Sequence, residues 1–79
     1  MQTFLGCDAH KHYSVFVAAD EGGRASKPVR IDHNMAAYRR YLDTLPRGTE
    51  IALESTGHWY WIVDLMERAG HRPHLAQRV

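Results

Sequence analysis

The chain has 79 residues, a length that allows one domain with a thin margin of stability. Hydrophobic residues make up 44% of it and charged residues 24%, a balance that is typical of a globular domain and argues against disorder. The net charge of +1 predicts no basic face strong enough to bind a nucleic-acid backbone, so any such contact must be local or shared with another segment.

The first three predicted elements are strands that form an antiparallel meander. Residues 3–8 and 13–19 are rich in β-branched and aromatic side chains and are separated by a short polar turn. Residues 20–23 supply the glycines that a second hairpin needs, and residues 24–31 return as a third strand. Pro28 cannot donate to a strand ladder, so this strand is expected at an edge of the sheet.

The second half of the chain alternates helices with strands. Asn34 is a good N-cap for a first helix, whose apolar residues recur at helical spacing until Pro46. A short strand follows at residues 50–54, and because a helical crossover leads to it, we expect it to run parallel to the first strand. A second helix closes at Gly70, and residues 72–76 begin a final strand.

The predicted sheet ends without a cover for its last strand. Parallel strands are normally buried on both faces, which requires a further helix after the final strand. The chain stops inside or just after that strand. The pattern therefore predicts one domain, residues 1–79, whose sheet is incomplete at its C-terminal end and which is truncated there.

Two carboxylates at the ends of short apolar strands are the clearest chemical signal. Asp8 ends the first strand and Glu54 the fourth, and an ionised acid in such a place is costly unless it is paired or binds a cation. On parallel neighbouring strands they would lie side by side at the carboxyl end of the sheet, where open α/β folds place their sites. Such oxygen ligands suit Mg²⁺ or Mn²⁺, which would keep water and substrate phosphates as further ligands. The alternative is that Asp8 opens a hairpin turn and Glu54 lies near a helix N-terminus.

The segment that follows Glu54 offers two weaker signals. Residues 55–57 precede a helix and could present backbone N–H groups to a phosphate, although a simple helix cap at Thr56 is the favoured interpretation. Residues 58–61 form an aromatic cluster that could stack on nucleic-acid bases. Core packing is the favoured role for Trp59, which lies at the apolar helical spacing.

Six histidines raise the possibility of a zinc site. We discount it because the pairs within residues 10–12 and 71–74 do not form a clear metal motif, and because Cys7 lies inside an apolar strand. Residues 10–12 (His-Lys-His) have a plainer role as a positive rim near Asp8.

Cysteine content and apolar runs indicate the compartment. Cys7 is the single cysteine, so the chain has no internal disulfide. The longest uninterrupted apolar run, residues 15–19, is far too short to cross a membrane, and the N-terminus lacks the pattern of a signal peptide. These features predict a cytoplasmic protein without membrane contact.

Three segments carry a resemblance to a known family: residues 5–11 (LGCDAHK), 52–61 (ALESTGHWYW) and 67–76 (ERAGHRPHLA). Together they resemble the start of the DEDD transposases of bacterial insertion sequences. Those enzymes have an N-terminal RuvC-like domain and a C-terminal domain with a nucleophilic serine, and they use a structured bridge RNA. The resemblance covers nearly the whole chain, and its most specific part is the Ala-Leu-Glu-Ser-Thr-Gly run that leads into an aromatic helix.

The resemblance implies an α/β fold of the RNase H-like (RuvC-like) type, with a mixed sheet in the order 3-2-1-4-5. It implies that Asp8 and Glu54 are the first two catalytic acids and bind Mg²⁺ or Mn²⁺ for DNA transposition. The implied partners are DNA, a guide (bridge) RNA and, in the full-length protein, further copies of the chain. The family's remaining two aspartates and its serine lie beyond these residues, so we expect the chain alone to be inactive.

Two other classes of function stay open. A non-catalytic module of the same fold, which binds nucleic acid or a partner chain, would also lack the remaining acids. A sugar-kinase-like ATPase begins with a similar strand, turn and strand and an aspartate near the turn. Residues 9–11 (Ala-His-Lys) lack the glycines that would admit a phosphate there, so this class ranks last.

Overall fold

The computed structural model describes residues 4–19, 25–55, 57 and 59–77. The order of strands and helices along the chain is the predicted one. The strands are β1 (Phe4–Ala9), β2 (Tyr13–Ala19), β3 (Val29–Asp32), β4 (Glu50–Ser55) and β5 (Arg72–Gln77), and the helices are α1 (Met35–Asp43) and α2 (Tyr60–Arg68).

The strands form one mixed sheet in the order β3-β2-β1-β4-β5, as predicted. The meander β1-β2-β3 is antiparallel, whereas β4 runs parallel to both β1 and β5. This arrangement follows from the connections, because short turns join antiparallel strands and helical crossovers join parallel ones. The switch point of the sheet therefore lies between β1 and β4. From β1 the chain continues toward one edge of the sheet, and from β4 it continues toward the other.

The third strand lies at a sheet edge, as Pro28 predicts, but it is shorter than expected. It begins at Val29 rather than at residue 24, and before it Ala25 makes only an isolated bridge to Ala19. The physical reason is that Pro28 has no N–H to continue the ladder toward the N-terminus. The predicted turn at residues 20–23 lies outside the described residues.

Local signals define the ends of both helices. The Asn34 side chain caps α1 by accepting a hydrogen bond from the N–H of Ala37 at 3.1 Å, as predicted. The N-cap position of α2 is Trp59, so the prediction of a cap at Thr56, which lies outside the described residues, is wrong. Gly70 ends α2 with a φ of +87°, which only glycine adopts without strain. Within the described ranges, no helix has the length and hydropathy to span a membrane.

Both helices pack on one face of the sheet and form a single core with it. Alternate strand residues point to this face, and the core consists of Leu5, Cys7, Ala9, Phe16, Tyr38, Leu42, Ile51, Leu53, Ile62, Leu65 and Met66. Trp59 packs against this cluster while half-buried, which agrees with its predicted core role. The opposite face, on which Phe4 is 56% exposed, has no helix over it in the described part of the chain. We call it the open face.

Candidate functional site

Asp8 and Glu54 are direct neighbours in the sheet. The parallel register pairs Asp8 with Glu54, and each is the last residue but one of its strand. Paired residues on adjacent strands project from the same face, which here is the open face. The predicted side-by-side placement is confirmed. Neither acid occupies a turn or a helix N-terminus, since both lie within strands and α2 begins only at Tyr60.

An open groove of about 380 Å³ lies in front of the two carboxylates. It is lined by Gly6, Cys7, Asp8, Val15, Val17, Ala52 and Glu54. Small residues precede the acids by two positions on each strand, and a valine faces Asp8 across the β1–β2 pair. Asp8 is half-buried and Glu54 is exposed, so a solvated ion can reach both from the same side.

His10 lies beside the first acid, where the sequence places the rim of residues 10–12. Its Nε2 atom donates to the Asp8 carboxylate at 3.2 Å, and its ring stacks on Tyr13 at a centroid distance of 4.7 Å. The Arg30 guanidinium in turn lies 3.9 Å from the centre of the Tyr13 ring. Because the His10 and Asp8 side chains are 43% and 44% exposed, the pair adds little stability and serves mainly to orient the carboxylate.

The donor set suits a hard divalent cation with few protein ligands. Two adjacent carboxylates supply oxygen atoms, and Mg²⁺ commonly takes one or two such ligands and completes its shell with water and phosphate. Within the described ranges, no group of three or more His, Cys, Asp or Glu side chains is arranged to hold a metal. His71 and His74 serve separate partners: His71 Nε2 donates to the Leu42 carbonyl at 2.7 Å, and His74 pairs with the Glu50 carboxylate.

A chain of hydrogen bonds through the core was missed by sequence reasoning. Tyr38 donates its hydroxyl to Ser14 Oγ at 3.0 Å, and Ser14 Oγ lies 2.9 Å from His33 Nε2. Cys7 Sγ contacts the Tyr38 hydroxyl at 3.5 Å, and His33 Nδ1 lies 3.2 Å from the Lys11 carbonyl. The available signal was Ser14, a polar residue at an inward position of an alternating strand.

The Lys11 carbonyl fixes one end of this chain, because it can only accept and His33 therefore donates from Nδ1. In the neutral form of the ring, Nε2 accepts the Ser14 hydroxyl proton. Burial lowers the pKa of His33 below its ordinary value of 6.5, which favours that neutral form. Burial also raises the pKa of the Cys7 thiol to about 11 and that of Tyr38 above its ordinary value, so both stay protonated.

The lowered pKa of His33 predicts a pH dependence of stability. Just below pH 6.5 the unfolded chain binds more protons at this residue than the folded one, so His33 lowers the free energy of unfolding as the pH falls through that value. His33→Gln should flatten this slope in urea unfolding between about pH 5 and about pH 7.5. A slope in His33→Gln that equals the wild-type slope would contradict the assignment.

No protein-family model matches the chain, and no curated protein matches it significantly.

Proposed function

We propose that the chain is the N-terminal RNase H-like (RuvC-like) domain of a DEDD-type DNA transposase, in which Asp8 and Glu54 bind Mg²⁺ or Mn²⁺. The observation that supports this most strongly is the register of the two acids on adjacent parallel strands, in a sheet of order 3-2-1-4-5. The substrate would be DNA, and a guide RNA and further copies of the chain would be the partners of the full-length enzyme, in keeping with the sequence resemblance.

The side chains have defined roles in this proposal. Asp8 and Glu54 would hold the ion through their carboxylate oxygens, and the open groove would give water and a DNA phosphate access to it. When bound, such an ion polarises the phosphodiester and favours formation of the attacking oxygen anion. His10 holds the Asp8 carboxylate in one orientation through its 3.2 Å contact.

A second candidate is a non-catalytic module that binds nucleic acid through the same site. It is favoured by the observation that, in the described part of the chain, no group of three or more His, Cys, Asp or Glu side chains is arranged to hold a metal. Two carboxylates can hold an ion against a phosphate, but a pair of ions generally requires more ligands.

The proposal predicts that Mg²⁺ strengthens DNA binding. The affinity for a labelled DNA duplex, measured by fluorescence anisotropy, should rise about tenfold when Mg²⁺ replaces EDTA, because the carboxylates would hold an ion that attracts a phosphate. Asp8→Asn should remove this increase. The control is Asp64→Asn, since Asp64 pairs with Arg68 on the exposed side of α2, away from the groove.

Cleavage of DNA in Mn²⁺ by the chain alone would support the catalytic function directly. Mg²⁺-dependent binding without cleavage agrees with both candidates, because the resemblance implies that the remaining catalytic residues lie beyond this chain. DNA affinity that does not respond to Mg²⁺, or that responds equally in wild type and Asp8→Asn, would contradict both.

A further inference from the structure

A second cavity, of about 360 Å³, lies at the carboxyl ends of β1 and β4 on the helix side of the sheet. We call it the strand-end cavity; it is lined by Ala9, His10, Lys11, His33, Ser55, Gly57, Trp61 and Ile62. It lies where the sheet changes winding direction, since β1 leads to β2 on one side and β4 leads to β5 on the other. Open α/β sheets bind their ligands at such switch points.

The wall of the strand-end cavity that α2 forms is apolar and aromatic. Trp61 is half-buried, and its ring is held edge-to-face against His33 at 4.9 Å and Tyr38 at 5.3 Å between centroids. Ile62 continues this wall and is anchored in the core. A ring fixed on two sides loses little freedom when a flat ligand packs against it, which suits an aromatic group such as a nucleobase.

The rim formed by the β1–β2 turn is polar and cationic. Lys11 is exposed there and carries the positive charge. Its carbonyl accepts a hydrogen bond from His33 Nδ1 at 3.2 Å, which holds the backbone of the turn in place at Lys11. Ser55 adds a hydroxyl, to which the Gly57 N–H donates at 3.4 Å. None of the described residues that line the cavity is acidic. An apolar wall facing a cationic rim matches a ligand with a flat ring and an anionic group.

We propose that the strand-end cavity binds one nucleotide of single-stranded DNA, with the base against Trp61 and Ile62 and a phosphate at Lys11. The inference rests on the proposed function for its choice of ligand. The cavity and the acid pair lie on opposite faces of the sheet but at the same strand ends, because Ala9 directly follows Asp8 and His10 both contacts Asp8 and lines the cavity. An unpaired strand that crosses this edge reaches both sites.

The test measures binding of a fluorescein-labelled oligothymidylate by anisotropy in EDTA, where a metal ion makes no contribution. Lys11→Gln should weaken binding several-fold and should lower the slope of log affinity against log salt by about 0.7, the value for one phosphate contact on a single strand. The matched control is Lys27→Gln, an exposed lysine before β3 that does not line the cavity. An oligonucleotide with abasic sites should bind at least about fivefold more weakly than the thymidylate. In a Trp59→Phe protein, thymidylate should quench the fluorescence of Trp61.

Equal losses in Lys11→Gln and Lys27→Gln, or equal affinity for the abasic and thymidylate strands, would overturn the proposal. So would binding that leaves Trp61 fluorescence unchanged. These results would leave the Mg²⁺-dependent duplex binding of the acid pair untouched. Conversely, loss of that Mg²⁺ effect with retained thymidylate binding in EDTA would reject the metal site alone.

Discussion

Phe16→Ala is expected to remove most of the protein's free energy of unfolding. Phe16 is fully buried, and its ring packs against Tyr38 at 5.5 Å and Tyr41 at 4.7 Å between centroids. Removing a buried phenyl ring costs about 3–5 kcal/mol, and a domain of this size has a total stability near the low end of about 5–15 kcal/mol. Urea unfolding followed by circular dichroism measures the loss.

The matched control for this substitution is Phe4→Ala on the neighbouring strand. Phe4 lies on the open face and is 56% exposed, so its loss should change the free energy of unfolding by less than about 1 kcal/mol. If the two substitutions destabilise the protein equally, the core does not lie on the helix face of the sheet.

Mn²⁺ is expected to raise the melting temperature of the wild-type protein by about 10 °C or more at saturating concentration. A ligand that binds only the folded state adds about 2.7 kcal/mol at one hundred times its dissociation constant, and each kcal/mol shifts the melting temperature of a small domain by about 4–8 °C. Asp8→Asn and Glu54→Gln should each remove most of this shift, because each deletes one of the two adjacent carboxylates.

The Asp64→Asn variant tests whether the shift depends on the groove. Its carboxylate pairs with Arg68 at 2.9 Å on α2, so the Mn²⁺ effect should persist when it is replaced. A shift that survives in Asp8→Asn but disappears in Asp64→Asn would place the ion elsewhere.

The topology and the pairing of the acids were predictable from sequence because both depend on local signals. Strand periodicity, the turn residues and the helical crossover place β4 beside β1, and equal distance from the strand ends then places Glu54 beside Asp8. The predicted start of β3 was too early. Pro28 lacks an N–H, so the strand begins only after it, and the sequence alone did not show that the residues before Pro28 leave the hydrogen-bonded sheet.

The hydrogen-bond chain and the strand-end cavity were not predictable in this way. Ser14, His33 and Tyr38 come from a strand, a turn and a helix, and they meet only when α1 packs on the sheet. The cavity likewise needs the relative placement of the β1–β2 turn and α2. Sequence periodicity indicates which residues face inward, but the partner of an inward polar group depends on tertiary packing.

The most direct test of the acid pair as a metal site is Mn²⁺ titration followed by amide NMR of the ¹⁵N-labelled chain. The first signals to broaden should be those of Asp8 and Glu54 and of Val15, which lies opposite Asp8 on β2. Asp8→Asn should abolish this pattern. Broadening that centres on His71 and His74 instead, or that is unchanged in Asp8→Asn, would contradict the site.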